Sequence, residues 1–261
     1  MNGPCANWGL MNSPGSQGSG RSNSRVGQAS LEPSYVLHGR AYRESSLLLE
    51  VFSREHGRVG LVARGARGAK SRWRNVLQPF RPLLLSWRLR GELGSLVDAE
   101  QVAALPLNAG DAWFCGLYVN ELLMRALQRG DPHQDLFDAY RMLLQLLAGQ
   151  QAPQALLRNF EKQLLEAIGF AMILGVEPAT GEQVQAGRWY RYDPVSGPTW
   201  EQQCTGQEPA TGHKLVSGAA LRGLESGDIE DQHLRELKRL MRRVLRFHLG
   251  DKPLVSQSLF Q

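Results

Sequence analysis

The sequence predicts a multi-domain β + α protein: a small N-terminal β-barrel, then a helical-bundle domain carrying a small irregular insertion. Three observations predict it. Five short apolar runs separated by turn residues crowd into about 70 residues. Beyond a Pro/Gly-containing boundary at 106–110 the apolar period lengthens from two to about 3.6. Of the 261 residues, 42% are apolar, enough to bury a core in each part.

Taken in order, residues 1–30 are rich in Gly, Ser, Asn and Pro, with Arg21 and Arg25 their only charges. They lack the apolar block of a secretory signal and are expected to form a disordered extension. Strands follow at 34–39, 46–53, 57–64, 82–89 and 95–102, and five strands in so short a span predict a barrel filling 31–108. The third alternates most clearly. Val59, Leu61 and Ala63 face the core while Arg58 and Arg64 point outward. The stretch GARGAKSRWRN, 65–75, shows no buried pattern and reads as a basic loop with a helical turn after it.

From 109 to 261 the pattern is helical. A first helix over 111–129 presents Trp113, Phe114, Leu117, Tyr118, Met124 and Leu127. Asp131-Pro132 offers an N-cap and a first-turn proline for a second helix, with Leu136, Phe137, Tyr140, Leu143, Leu144 and Leu147 on its apolar face. A third helix over 153–169 is expected to bury Leu156, Phe160, Leu164 and Ile168, and three helices in succession imply a bundle. Periodicity lapses in an insertion at about 171–215, where a hairpin is expected around Trp189 to Trp200. A last helix over 231–249 sets Leu234, Leu237, Met241, Val244, Leu245 and His248 opposite Arg235, Lys238, Arg239, Arg242, Arg243 and Arg246.

Charge is segregated. Twelve Lys or Arg lie between Arg40 and Arg90 against only Glu44, Glu50 and Glu55, in a chain whose formal net charge is +5. Such a concentration is the footprint of a surface that tracks phosphates, since like charges this crowded repel unless an anionic partner compensates. Trp73 lies between Arg72 and Arg74, and Trp87 precedes Arg88. Arginines interleaved with aromatics suit single-stranded nucleic acid, although either tryptophan could equally be core, Trp87 the more so for lying in a strand. The candidate DNA-binding residues are Arg40, Arg43, Arg58, Arg64, Arg67, Lys70, Arg72, Trp73, Arg74, Arg81 and Arg88. The basic face of the last helix is a second candidate phosphate path.

No catalytic constellation assembles. His38, His56, His133, His213, His233 and His248 occur singly, without HExxH, GxSxG or a phosphate-binding GxxxxGK motif. Cys115 sits among apolar residues of a helix and reads as a small buried hydrophobe. Cys5, Cys115 and Cys204 form no CxxC pair and no disulfide framework, which fits a reducing cytoplasm. No apolar run reaches the roughly 18 residues that would suggest a transmembrane helix.

The chain resembles the RecO family of bacterial recombination mediators. The pieces that carry the resemblance are YVLHGRAYRESSLLLEVFSREHGRVGLVARGARG at 35–68, LQPFRPLLL at 77–85, LYVNELLMRAL at 117–127, LRNFEKQLLEAIGF at 157–170 and LGDKPLVSQSL at 249–259. Their order is the family's. The resemblance implies an N-terminal OB-fold, binding to single- and double-stranded DNA, and strand annealing in RecF-pathway recombinational repair. It implies RecR and the single-strand-binding protein as partners, and a cytoplasmic, nucleoid-associated location. It further suggests that the acidic tail of the single-strand-binding protein docks on the helical domain, with Leu157 lining a pocket and Arg158 pairing with a carboxylate.

Two departures limit the resemblance. Many family members hold zinc with two CxxC pairs after the position of Gly169-Phe170, whereas here Cys204 is the one thiol of that segment, so no zinc or other cofactor is expected. The insertion is then expected to hold itself together through Trp189, Tyr190, Tyr192 and Trp200. After KPL the chain reads VSQSLFQ in place of the family's basic SRELxRQ. The function expected is a non-enzymatic DNA-binding mediator. The alternatives are an RNA-binding or RNA-modifying protein that uses the barrel for substrate recognition, and a scaffold whose barrel binds an acidic protein.

Overall fold

Strand alternation and a shift to helical periodicity divide the chain into two units, each seen in a computed structural model that describes residues 28–103, 107, 110–149, 153–205 and 215–252. In the first unit, β1 (Gln28–Tyr42), β2 (Ser46–Ser53), β3 (Gly57–Ala63), β4 (Leu83–Arg90) and β5 (Leu93–Gln101) close into a barrel in the order β1-β2-β3-β5-β4. Only β3 and β5 run parallel. Closure leaves no unpaired edge.

β1 is longer than its alternation suggests, and takes in residues 28–30, which the composition assigns to a disordered extension. Its second half pairs with β2, Ser34 with Ser53 through Tyr42 with Ser46. Its first half pairs with β4, Gln28 with Arg88 through Ser34 with Leu83. One strand thus serves two neighbours, and a bulge between Ala29 and Glu32 breaks the period-two pattern. The rest of the proposed extension, 1–27, lies outside the described residues.

The expected core face is present: Val59, Leu61 and Ala63 are buried together with Leu49, Val51, Leu83, Leu85 and Trp87. The basic loop departs from expectation. Ala66 and Leu77 join the barrel core, Trp73 and Val76 pack against it, and Leu77 N–H donates to the Trp73 carbonyl in the one helical turn. Apolar burial of this kind stabilises by about 1.5–3 kcal/mol per large side chain. The loop is therefore a plug as well as a carrier of charge.

The second unit holds α1 (Asp111–Ala126), α2 (Gln134–Ala148), α3 (Pro153–Ala167), α4 (Gly218–Ser226) and α5 (Leu234–Leu249). Helix α3 is central, packing against each of the other four. It buries Leu157, Phe160, Leu164 and Leu165 rather than Leu156 and Ile168. The doublets Leu156-Leu157 and Leu164-Leu165 leave the helical phase ambiguous by one residue. Helix α2 starts at Gln134, with no side-chain cap from His133, so the Asp131-Pro132 cap does not form. Residues 129–132 belong instead to the barrel unit.

The insertion contains the expected hairpin, β6 (Arg188–Asp193) and β7 (Gly197–Thr205). A third strand, β8 (Leu215–Ser217), pairs on the other side of β6. Ser217 then caps α4 by accepting the Ala220 N–H.

Candidate nucleic-acid interface

The register of the barrel decides which cations share a surface. Arg40 on β1 faces Leu48 on β2, which faces Val62 on β3, so Arg40 and the residues just past Ala63 flank β2 near the β1–β2 turn. Arg43 occupies that turn at φ 52°. The β3–β4 loop is fastened to it: Arg67 N–H donates to the Ser45 carbonyl at 2.9 Å, and the Arg67 guanidinium donates to the Arg43 and Glu44 carbonyls at 3.3 Å each. Arg40, Arg43, Arg64, Arg67 and Lys70 are all exposed. The donors of Arg67 meet carbonyl oxygens, which leave its charge unneutralised.

Farther along the loop, the Arg72 guanidinium lies 4.0 Å over the Trp73 ring. It also donates to the Val97 carbonyl at 3.3 Å and sits 3.4 Å from the Asp98 carboxylate, with both side chains exposed. Trp73 turns part of its ring to the core, and what remains is covered by a flat cation. Arg74 beside it is exposed.

Other candidates fall elsewhere. Arg58 faces Phe52, six residues from Arg64 and about 20 Å away along the strand. Its Nε lies 3.6 Å from the Glu50 carboxylate, which also pairs with Arg129. Both Arg58 and Glu50 are about four-fifths buried. Gly130 N–H donates to the Arg58 carbonyl at 3.0 Å, and Asp131 O packs so closely on Gly57, at φ 63°, that a Cβ there would meet it at 1.9 Å. Arg58 is thus tied into a structural joint and is not a free outward cation. Arg81 donates to Gln101 Oε1 at 2.7 Å. Arg88 is exposed on β4 and faces Gln28 on β1, twelve residues before Arg40 along that strand. Trp87 is core, 1% exposed.

The helical candidates are buried. Leu157 is 3% and Arg158 4% exposed. Arg158 donates to Glu161 Oε1 at 2.6 Å, and the Tyr118 hydroxyl donates to the same oxygen at 2.6 Å. Burial pushes the Glu161 carboxyl above its usual range, with Arg158 and then Tyr118 pulling it back. Arg158 so placed presents no surface to a partner's carboxylate. The signal for this was in LRNFE, where an Arg and a Glu three apart share the apolar side of an amphipathic helix.

Ser217, His233 and Glu236 converge without forming a nucleophile relay. The Ser217 hydroxyl donates directly to Glu236 at 2.8 Å and accepts the Ala220 N–H, while His233 Nδ1 lies 2.7 Å from the same carboxylate. A serine whose proton goes to the acid rather than to the histidine is a helix cap. Among the described residues, no group of three or more His, Cys, Asp or Glu is placed to hold a metal ion.

In the insertion, Tyr190 and Tyr192 are buried, and the Glu177 carboxylate accepts from Trp200 N–H at 2.8 Å and the Thr180 hydroxyl at 3.1 Å. Arg188 covers the Trp200 ring at 3.9 Å. The side chain of Cys204, residues 206–214 and the VSQSLFQ tail lie outside the described residues. No helix among the described residues is long and apolar enough to cross a membrane.

The model for "Recombination protein O N terminal" matches residues 29–105, and that for "Recombination protein O C terminal" matches 107–258. The chain is 45% identical over 232 residues to DNA repair protein RecO of Nitrosococcus oceani, covering 88% of this chain and 92% of the relative. It is 44% identical to that of Alkalilimnicola ehrlichii, covering 88% and 90%, and 43% identical to that of Methylococcus capsulatus, covering 88% and 93%. The closed five-stranded barrel coincides with the N-terminal match and is the family's OB-fold.

Proposed function

This chain belongs to the recombination protein O family, with a role in DNA repair and recombination, and we propose that it is a non-enzymatic mediator that anneals DNA strands. The observation that carries the reading is the group of exposed cations at the β1–β2 turn, with Arg67 fastening loop to turn through carbonyl oxygens. Arg40, Arg43, Arg64, Lys70 and Arg74 contact phosphates of single- or double-stranded DNA. Arg72 over Trp73 offers a flat cationic face to a base. Strands held by their backbones are screened from one another, and base pairing supplies fidelity, so neither nucleophile nor cofactor is needed.

The same reading includes RecR and the single-strand-binding protein as partners, and a cytoplasmic site of action. It includes an insertion held without zinc, through Tyr190, Tyr192 and the Glu177 hydrogen bonds, so that a chelator leaves the melting temperature unchanged. Arg158 enters as a support of the helical core.

The test is annealing of complementary strands coated with single-strand-binding protein, comparing wild type with a variant carrying Arg40, Arg64, Lys70 and Arg74 all changed to Ala. Arg67 is left in place because it holds the turn. The variant is expected to anneal more slowly, and the slope of log affinity for a single strand against log salt is expected to fall by about 3. Unchanged annealing and an unchanged slope would remove these residues from the DNA path.

A further inference from the structure

The helical unit carries a cationic face that the barrel does not explain. Along α5, Arg235, Lys238, Arg239, Arg242, Arg243 and Arg246 recur at helical spacing over about 16 Å, opposite buried Leu237, Leu240, Met241, Val244 and Leu245. The one acid within α5 is Glu236, and it is engaged by Ser217 and His233, while Asp251 just past the helix accepts from Arg246 at the end of the stripe. Mutual repulsion is felt along the stripe. Partial burial and then Arg242 hold the Lys238 ammonium below its usual range, and partial burial and then Arg239 do the same to Arg243. An anion laid along the face relieves that repulsion.

At the C-terminal end of the stripe the fold leaves two large rings in solvent. Phe247 is 60% and Phe170 44% exposed. His248 joins them, stacked on Phe170 at 4.2 Å and edge-on to Phe247 at 5.0 Å. Phe170 is held in place by the end of α3, where Gly169 turns at φ 86° and Phe170 N–H donates to the Leu165 carbonyl at 2.8 Å. Burying either ring would be favourable, and the chain instead fixes both outward beside the arginines.

We propose that the exposed face of α5, with the Phe170–His248–Phe247 ring cluster at its end, is a second binding surface for single-stranded nucleic acid. Phosphates run along Arg235 and Arg242, and unstacked bases lie on Phe247 and Phe170. The proposal rests on the reading that this protein handles single strands, and it gives the helical unit a DNA contact of its own.

The test uses the full chain and a thymidine oligonucleotide substituted with 5-iodouracil, with photocrosslinked peptides identified by mass spectrometry. Crosslinks are expected both in the barrel and in the peptide containing Phe247. They are expected to persist in the latter when Arg40, Arg64, Lys70 and Arg74 are changed to Ala. On that barrel-deficient background, Phe170→Ala with Phe247→Ala is expected to weaken residual binding about tenfold while melting stays unchanged, because both rings are exposed. Crosslinks confined to the barrel, or residual binding indifferent to the two rings, overturn the proposal and leave the annealing reading standing. No crosslink in either place overturns both. If an acidic apolar peptide binds α5 in a ring-dependent way and the oligonucleotide does not, the surface belongs to a protein partner and the proposal is wrong.

Discussion

Two arginines, Arg67 in the barrel unit and Arg158 in the helical unit, are treated in opposite ways. At the β1–β2 turn, Arg67 is hydrogen-bonded to two carbonyl oxygens and remains exposed, with Arg40, Arg43 and Arg64 around it. In α3, Arg158 is 4% exposed against a Glu161 that is fully buried. A cation oriented by neutral acceptors keeps its charge for a ligand; a cation closed onto its own carboxylate has become part of the core. The sharpest way to break this contrast is at Arg158. Changing it to Ala leaves Glu161 buried without its counter-ion and is expected to cost about 3–5 kcal/mol, read by chemical denaturation. Changing Arg158 to Met and Glu161 to Leu together should restore most of that loss. A stable single variant that failed to bind a partner would restore Arg158 to a docking role.

The joint at Gly57 comes next. Its positive φ and the Asp131 carbonyl leave no room for a Cβ, so Gly57→Ala is expected to destabilise the barrel unit by about 1–3 kcal/mol. Hydrogen exchange should show the loss concentrated at Gly130, whose amide donates to Arg58. A fully native melting temperature would mean that the 129–132 segment does not clasp the barrel.

Much of this was legible in the sequence, and the exceptions share a physical cause. The β2 and β3 strands follow from alternation alone, because one face of each is buried. The first half of β1 escapes because its bulge, with Leu31 at φ 52°, interrupts the period. The helical-unit core is found at the level of the helix but not its phase, since paired leucines satisfy either of two adjacent settings. Charge in the barrel segment is visible as a count, yet a count cannot separate Arg58, neutralised by Glu50, from Arg64. That separation depends on a residue 71 positions away from Arg58, Arg129, joining the same carboxylate. Family likeness placed Arg158 on a surface, whereas its i,i+3 partner Glu161 on a buried helix face pointed inward.

Arg58 and Arg64 provide the matched pair within one strand and its extension. Arg58→Ala is expected to lower stability by about 1 kcal/mol, since Glu50 keeps Arg129, and to leave the salt slope of DNA binding unaltered. Arg64→Ala is expected to change stability by less than about 0.5 kcal/mol while reducing that slope by about 0.7. Identical salt slopes for the two variants would erase the distinction between structural and ligand-facing cations.

The smallest effect is expected at a charge that the helical unit satisfies mainly through backbone amides. In the β6–β7 turn, Asp193 Oδ1 accepts the Val195 and Ser196 N–H groups at 2.9 Å each and the Ser196 hydroxyl at 3.1 Å. These bonds hold the carboxyl below its ordinary value of 3.8, with the Ser196 amide the largest cause. A depressed carboxyl contributes stability that is fully present above the unfolded-state value and disappears as pH falls through the folded-state one. Asp193→Asn keeps an accepting oxygen and loses only the charge. The melting temperature of wild type is therefore expected to exceed that of the variant slightly at neutral pH, and the gap is expected to close below pH 3.8. A gap that stayed constant down to about pH 2 would show that the carboxylate charge contributes nothing to the turn. The internal satisfaction of charge in the helical unit would then stop at its core and not extend to the hairpin.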